Sequence, residues 1–220
     1  MRYTMLAAVA VLAAPAPLRA GEASAYPFRT AVITYKITGS IQEGTQVLTI
    51  DDYGRRTRID RDTTLTILGR KQRESTTEID DGEWYYRIDR ARKTGEKRRS
   101  FSKVAGEMVR SMSAEQKNAY AELGRELAKG RSASGDLKRA GKGKVMGRDC
   151  DIFEAMGTKT WLWNNLPLRK ESPALGDMVQ EAVAIAVDEP IPPGRFTPPK
   201  EIAITEPTAG PAGADIEPVP

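Results

Sequence analysis

The chain lacks histidine entirely and has one cysteine among its 220 residues. Because imidazole is the usual side chain for proton transfer near neutrality and the commonest metal ligand, Ser-His-Asp and Cys-His catalytic arrangements are excluded. Cys150 alone cannot form an internal disulfide or a zinc or iron–sulfur site of several Cys and His ligands. We therefore expect no enzyme, no metal and no cofactor. Cys150 is interpreted as a buried thiol, with an intermolecular link as the alternative.

Aromatic residues and net charge are also scarce. Phe, Trp and Tyr make up 6% of the residues, and the formal charge is +4. Such a small excess of cations argues against a nucleic-acid partner. The apolar fraction of 40% and the mean hydropathy of −0.48 are those of a soluble globular protein, and the length suits one domain with a sizeable core.

The longest apolar run lies at the start of the sequence. Arg2 precedes a nearly apolar stretch over 5–17, which is too short and too broken by proline for a membrane span of about twenty residues. This pattern predicts a secretory signal peptide over 1–25, cleaved after Ala20 or Ala25. The mature protein is then periplasmic or secreted. No cysteine stands near either cleavage position to carry a lipid.

Alternating apolar and polar residues predict an antiparallel meander between 29 and 90. Later strand patterns resume at 144 and continue to 187. The expected strands cover 32–38, 45–50, 55–60, 64–68, 74–79, 83–89, 144–146, 150–154, 158–163, 166–171 and 179–187.

The hydrophobic period changes to that of amphipathic helices between 100 and 129. Ser113 and Gln116 form a capping-box pattern, which predicts a break near 111–113. A glycine- and lysine-rich stretch over 130–143 predicts a mobile loop, and the proline-rich segment 205–220 predicts a disordered tail. We expect a single domain over 26–204 with a helical insert at about 101–129.

Two aromatic groups on predicted strands are candidates for an apolar ligand site. Trp84 and Tyr86 lie on one strand, and Trp161 and Trp163 lie on another, where alternate positions share a face. With Met108 and Met112 of the helical segment they could line a cavity. Ordinary core packing is the alternative.

A basic cluster follows the first of these strands, with eight cations in the seventeen residues 87–103. Five of them are candidates for contact with an anionic head group: Arg92, Lys93, Lys97, Arg98 and Arg99. A solvated connection between a strand and a helix is the alternative. The acidic pairs Asp51-Asp52 and Asp80-Asp81 are interpreted as turn residues in preference to an acid and base pair.

Five segments together resemble the lipoprotein-carrier-like proteins of the bacterial periplasm, of the LolA, LolB and LppX type, and a related uncharacterised secreted family. They are ITYKITG (33–39), DGEWYYRID (81–89), VMGRDCDIF (145–153), TWLWNNLPLRK (160–170) and FTPP (196–199). The resemblance spans about 31–204. It implies an α+β fold, in which a strongly curved antiparallel sheet forms an unclosed barrel packed on one or two helices, with the helical segment in or across the concave side.

Carriers of this type hold acyl chains in the concavity. The resemblance therefore implies a non-enzymatic periplasmic binding or carrier protein for a lipid, lipoprotein acyl chains or another apolar ligand. The alternative is a structural or interaction module of the cell envelope that presents a sheet edge or its basic cluster to a membrane surface or an envelope protein.

Overall fold

The computed structural model describes residues 25–128, 138–192 and 194–206. The described residues form one sheet of twelve strands and two α-helices. The strands are β1 (Ala31–Thr38), β2 (Gln42–Asp51), β3 (Arg56–Ile67), β4 (Arg70–Asp80), β5 (Trp84–Asp89), β6 (Thr94–Arg99), β7 (Lys138–Val145), β8 (Arg148–Ala155), β9 (Thr158–Trp163), β10 (Leu166–Ser172), β11 (Met178–Val187) and β12 (Ala203–Thr205).

Two antiparallel meanders make up the sheet, which is strongly curved and unclosed. Strands β1 to β6 form the first meander and β7 to β11 form the second. They join where β1 pairs antiparallel with β11, and β12 adds to β6 in parallel. The predicted α+β fold with an unclosed curved antiparallel sheet is confirmed.

The helical segment divides as the capping box predicts. Helix α1 (Phe101–Ser111) and helix α2 (Ala114–Ala128) are separated by two residues. The Ser113 N–H donates to Gln116 Oε1 at 2.9 Å, and the Gln116 N–H donates to Ser113 Oγ at 3.2 Å. Of the residues of α1, only Ala105 is buried, so this helix packs little of its apolar side against the sheet.

The main core follows from the alternation in β1. Ala31, Ile33, Tyr35 and Ile37 point to the same face of the strand and are all buried, whereas the intervening residues are half-buried or exposed. Other buried residues, from the segment before β1 and from β2, β7, β8, β10 and β11, complete this core: Phe28, Ile50, Val145, Cys150, Leu166, Leu168 and Ala182. The core therefore spans the junction between the two meanders.

A second, smaller core lies over the first meander, on the opposite face of β3. Ile79 of β4 and Ile88 of β5 are fully buried against Phe196. Phe196 belongs to the segment 188–206, which returns across β3 to β6 and ends as β12. Sequence patterns predict no strand in this segment. It covers apolar residues that would otherwise face water.

Four sequence expectations need correction. The predicted break at 61–63 is wrong, because β3 runs through it: Arg61 donates to Gln46, and Asp62 accepts from Ser75 and Arg90. Residues 94–99 form strand β6 in place of a solvated connection, because cations of β6 lie over the aromatic rings of β5.

The third correction concerns the predicted loop 130–143, whose last six residues belong to β7. This strand lies at the sheet edge, where exposed lysines suit a strand that must not pair with another chain. Residues 130–137 lie outside the described residues, as do nearly all of the predicted signal peptide and residues 207–220 of the predicted tail. Thr205 differs from the tail prediction, because it ends β12. The other predicted strands are confirmed with shifts at their ends.

A half-buried carboxylate holds the returning segment to the sheet. Asp60 accepts hydrogen bonds from Arg58 at 2.9 Å, from Thr77 at 2.7 Å and from Arg195 at 2.7 Å. Burial alone would raise the pKa of Asp60, but the hydrogen bonds from Arg58 and Thr77 and the charges of Arg58 and Arg195 lower it below the usual value. The ionised form of Asp60 therefore stabilises the fold.

We predict that Asp60→Asn lowers the free energy of unfolding by about 3–5 kcal/mol, because it leaves the guanidinium of Arg58 half-buried without its counter-charge. The side chains of Asp60 and Arg58 are each only 13% exposed. Asp149→Asn is the matched control: Asp149 pairs with Lys144 at the surface, and its loss should cost under about 1 kcal/mol. Urea unfolding measures both. Equal losses of unfolding free energy for the two substitutions would contradict the stabilising role of the Asp60 carboxylate.

The same carboxylate predicts an acid-dependent loss of stability. Because the folded-state pKa of Asp60 lies below its unfolded value, its contribution is complete above the unfolded pKa and is lost as pH falls through the folded pKa. Stability should therefore fall below about pH 4. Unfolding curves recorded from neutral to strongly acidic pH should show a smaller decrease for Asp60→Asn than for the unsubstituted protein. Parallel curves would rule out Asp60 as a source of the decrease.

Candidate functional site

An aromatic column stands at the end of the main core. The ring of Trp163 stacks on Phe28 with centroids 5.7 Å apart, and Phe28 stacks on Tyr26 with centroids 5.5 Å apart. The guanidinium of Arg148 lies 4.8 Å from the centroid of Trp163. Phe28 is buried, so the column anchors the segment before β1 to the end of β9. Here Trp163 stabilises the core.

Trp161 packs against the same core cluster as Trp163, as the shared face on the strand predicts. The Trp161 ring lies beneath Gly143 of β7. Only glycine fits at position 143, because a Cβ there would come within 2.9 Å of Trp161 Nε1. The ring also lies near Arg169, whose guanidinium carbon is 5.5 Å from the ring centroid. Trp161 is half-buried and retains exposed surface.

The remaining apolar candidates lie elsewhere. Tyr86 packs against the second core, and Trp84 is half-buried beneath Lys97, whose Nζ is 4.5 Å from the ring centroid. Met108 is exposed on α1, and Met112, just after that helix, is half-buried. The structure thus brings Trp161 and Trp163 together on one core and places the other four candidates at the second core, the β5–β6 surface and the helical segment.

Ion pairs occupy most of the basic cluster. Arg92 pairs with Asp89 at 3.6 Å, Arg99 pairs with Glu83 at 3.0 Å, and Lys97 pairs with Glu206. The pairing with Glu206 raises the pKa of Lys97. Two candidates have no carboxylate partner in the described part of the chain: Arg98, which lies 4.7 Å from the ring centroid of Tyr85, and Lys93, which is exposed.

The acidic pairs serve turns and the sheet, as predicted. Asp81 Oδ1 accepts from the N–H groups of Glu83 at 2.9 Å and Trp84 at 2.7 Å, and Asp80 Oδ1 accepts from the Gly82 N–H at 3.0 Å. Asp51 accepts from the Asp52 N–H at 2.7 Å. The bonds of Asp80 and Asp81, to N–H groups two or three residues later, are those of Asx turns. The Asp80 carboxylate also accepts from Ser100 Oγ at 2.9 Å, so the acidic pairs stabilise both turns and the sheet.

Cys150 is buried in the main core, and burial raises the pKa of its thiol. This placement agrees with the prediction of a buried thiol. In the described ranges, no cluster of three or more Cys, Asp or Glu residues could hold a metal ion. None of the helices within those ranges is long and apolar enough to cross a membrane.

Among the depressions on the described part of the surface, two are shallow and lie at different places on the sheet. One, of about 130 Å³, has a polar lining between β5 and β6 that includes Tyr85, Arg87 and Lys97. The other, of about 570 Å³, is an open depression at the β3–β4 hairpin end and includes Ile67 and Leu68. Neither depression is lined by Trp84, Trp161 or Trp163.

Sequence patterns do not reveal the exposure of two groups of apolar side chains. In α1, Phe101, Val104 and Met108 are 72%, 46% and 50% exposed. At one end of the sheet, the turn residues Leu68 and Met156 are 98% and 82% exposed. The helical period predicts an apolar stripe in α1, but whether the sheet covers that stripe depends on the tertiary fold.

Two half-buried cations, on β3 and β10, were also missed. Arg61 donates to the buried amide oxygen of Gln46 at 2.9 Å and 3.1 Å, and it has no carboxylate partner among the described residues. Lys170 is half-buried, and the pKa of its ammonium is lowered first by burial and then by the charge of Arg61. In sequence both cations look like solvated strand residues, and no local pattern distinguishes them.

No protein-family model matches the chain, and no curated protein matches it. Several solved structures are similar. An uncharacterized conserved protein from Thermus thermophilus is 9% identical with a TM-score of 0.48, over 82% of this chain and 91% of that one.

MucB, solved also with MucA from Pseudomonas aeruginosa, is 12% identical with a TM-score of 0.39 over 80% of this chain. PNGF-II is 11% identical with a TM-score of 0.41 over 81% of this chain. The chain spans 58% of the length of MucB and 31% of the length of PNGF-II. Likenesses at this level carry no inference about what this chain binds or does.

We predict that Phe28→Ala lowers the free energy of unfolding by about 3–5 kcal/mol, because it leaves a cavity in the aromatic column at the end of the core. Phe101→Ala removes the same side chain from an exposed helix position and should change stability by less than about 0.5 kcal/mol. Chemical denaturation followed by tryptophan fluorescence measures both. A small effect of Phe28→Ala would show that the column does not anchor the start of β1.

Proposed function

We propose that this protein is a non-enzymatic binding or carrier protein, working in the periplasm, for a lipid or another apolar ligand held between the curved sheet and the helical insert. The observation that carries the proposal is the exposed apolar stripe of α1, formed by Phe101, Val104 and Met108. A stripe at this helical spacing ordinarily packs on a core. Here the unclosed sheet leaves it uncovered, and exposed apolar patches are typical of binding surfaces.

The sheet supplies the second element of the proposed site. Its ends remain open, and the half-buried rings of Trp161 and Trp163 lie over the core at the β8–β10 side. An acyl chain placed against α1 would bury the exposed stripe at about 25 cal/mol for each Å² removed from water. The helical insert would then act as an apolar cover that closes on its ligand. No catalytic step is required by this proposal.

Native mass spectrometry of the mature protein from its own periplasm, with lipid extraction of the same sample, tests the proposal. We expect a discrete bound mass that disappears on extraction and that identifies the ligand class. A bare mass, together with no uptake of a fluorescent fatty-acid probe, would remove the carrier function.

The double substitution Phe101→Ser/Met108→Ser should reduce uptake of a fluorescent fatty acid by roughly tenfold or more, because two apolar contacts of about 1.5–3 kcal/mol each are lost. Both side chains are exposed, so unfolding curves should not change. Met146→Ser is the control, since Met146 is an exposed apolar side chain in the β7–β8 turn. Unchanged uptake by the double variant would place the ligand away from α1.

A second candidate function, an envelope interaction module without a small ligand, is favoured by a different surface. The turns β1–β2, β3–β4, β8–β9 and β10–β11 lie at one end of the sheet, and we name their exposed apolar residues the apolar rim: Ile41, Ile67, Leu68, Met156 and Leu175. Hydrogen bonds tie these turns together. The Ser40 N–H donates to Gly176 O at 2.8 Å, and the Thr66 N–H donates to Ile41 O at 2.7 Å.

A photo-crosslinker placed at Leu68 tests this candidate in cells, with the same group at Met146 as the control. Both residues stand at the first position of a turn with positive φ before glycine, but at opposite ends of the sheet. An envelope partner docked on the apolar rim would give an adduct from Leu68 only. Adducts of equal yield from both positions, or from neither, would exclude the rim as the contact.

A further inference from the structure

We infer that the apolar rim is a docking surface for an anionic lipid bilayer, with the tips of the β3–β4 and β8–β9 hairpins inserted among the head groups. The inference rests on the second candidate function, whose partner it names, and the carrier function does not depend on it. Three observations support it: protruding apolar tips, a backbone conformation that large side chains rarely adopt, and a cationic flank on one tip.

The two hairpin tips lie at the same end of the sheet. Antiparallel pairing continues from β3 through β2, β1, β11, β10 and β9 to β8, so the end at which β3 stops is also the end at which β8 stops. Leu68 is 98% exposed at one tip and Met156 is 82% exposed at the other. In the turns between them, Ile41 and Leu175 are 43% and 41% exposed. The two tips are therefore the least covered part of the rim.

Each tip is a two-residue turn that places a large apolar side chain in the left-handed region. The φ angle is +49° at Leu68 and +48° at Met156, and a glycine with positive φ follows each. Turns of this kind favour Asn, Asp or Gly at the first position, because a bulky side chain is strained there. Neither side chain gains burial within the described structure in return. Strained residues cluster at binding sites, and an apolar contact outside the protein would account for both tips.

The turn between β7 and β8 shows that this backbone conformation does not by itself expose the first residue. Met146 has a φ of +49° before Gly147, at the opposite end of the sheet, yet its exposure is only 44%. The protein thus covers more than half of Met146 but almost none of Leu68. The protrusion of Leu68 and Met156 is a property of the rim end.

The β3–β4 tip carries the positive charge that selects an anionic surface. The eleven residues 63–73 contain three cations, Arg70, Lys71 and Arg73, and no carboxylate. All three are exposed. Lys71 pairs with Glu43 at 3.7 Å, whereas Arg70 and Arg73 pair with no carboxylate within the described ranges. Cations beside an apolar tip are attracted to the phosphates of anionic head groups while the tip enters the boundary of the acyl chains.

The shape of the rim favours a bilayer over a folded protein. The open depression at the β3–β4 tip combines apolar and polar side chains, since Ile67, Leu68, Arg70 and Gln72 line it. A protein interface requires a continuous, closely packed apolar centre, whereas the most exposed side chains of the rim stand on two separate tips. A bilayer accepts separate tips because its surface is laterally uniform.

Vesicle sedimentation with the mature protein tests the inference. One set of vesicles contains phosphatidylglycerol and phosphatidylethanolamine, and the other contains phosphatidylcholine alone. We expect binding to the anionic vesicles to be at least about tenfold tighter, because Arg70 and Arg73 are attracted to them. Raising NaCl to about 0.5 M should weaken this binding, because salt screens exposed charges.

Leu68→Asn and Met156→Asn each remove an apolar tip and keep the turn, because Asn suits the left-handed position. Each should weaken binding to anionic vesicles by roughly tenfold or more, and urea unfolding should show no loss of stability. Met146→Asn is the matched control, with the same backbone conformation at the opposite end, and it should bind as the unsubstituted protein does. The double substitution Arg70→Gln/Arg73→Gln should remove the preference for anionic vesicles.

The outcomes separate this inference from both candidate functions. Absence of vesicle binding, or binding that Leu68→Asn and Met156→Asn leave unchanged, would overturn the bilayer as the occupant of the rim. A protein adduct from the photo-crosslinker at Leu68 without vesicle binding would also overturn it and would leave an interaction module with a protein partner. Fatty-acid uptake should be the same in Leu68→Asn and in the unsubstituted protein, so the carrier function is tested independently.

Discussion

The pairing of β1 with β11 is the interaction on which the rest of the structure depends. It joins a meander that precedes the helical insert to one that follows it, so the two become a single sheet. A bulge lies within this pairing, where Thr34 faces Ala184 and Tyr35 faces Ala182, so that Val183 is skipped by the β1–β11 register. Bulges increase local twist and bend the strand, and here one stands at the junction of the two meanders.

Burial at the junction fixes its register. Ile33 and Tyr35 are almost completely buried, and the Tyr35 hydroxyl donates to the carbonyl of Pro167 on β10 at 2.9 Å. A shift of one residue would turn this face of β1 outward and lose both the core contacts and that hydrogen bond.

The second core has a different source of stability. Its sheet residues are few, and the returning segment 188–206 provides Phe196 and several half-buried isoleucines. A segment of this kind carries little regular structure, so its position depends on specific contacts. Asp60 provides them through Arg58 and Arg195, and Arg56 adds a guanidinium 5.2 Å from the ring centroid of Phe196. The ion pairs of Asp60 therefore fix the position of the returning segment, which apolar burial alone would hold only loosely.

Local patterns in the sequence predict most of the sheet but little of the candidate site. The alternation in β1, the turn at Asp81 and the capping box at Ser113 depend on neighbouring residues, and each forms as expected. Strand β6 escapes prediction because its charges are balanced by distant partners, such as Glu206 for Lys97. Strand β12 escapes prediction because its three residues form a strand only by pairing with β6, which is distant in sequence. Exposure of the α1 stripe depends on how the helix lies relative to the curved sheet, which no local sequence pattern encodes.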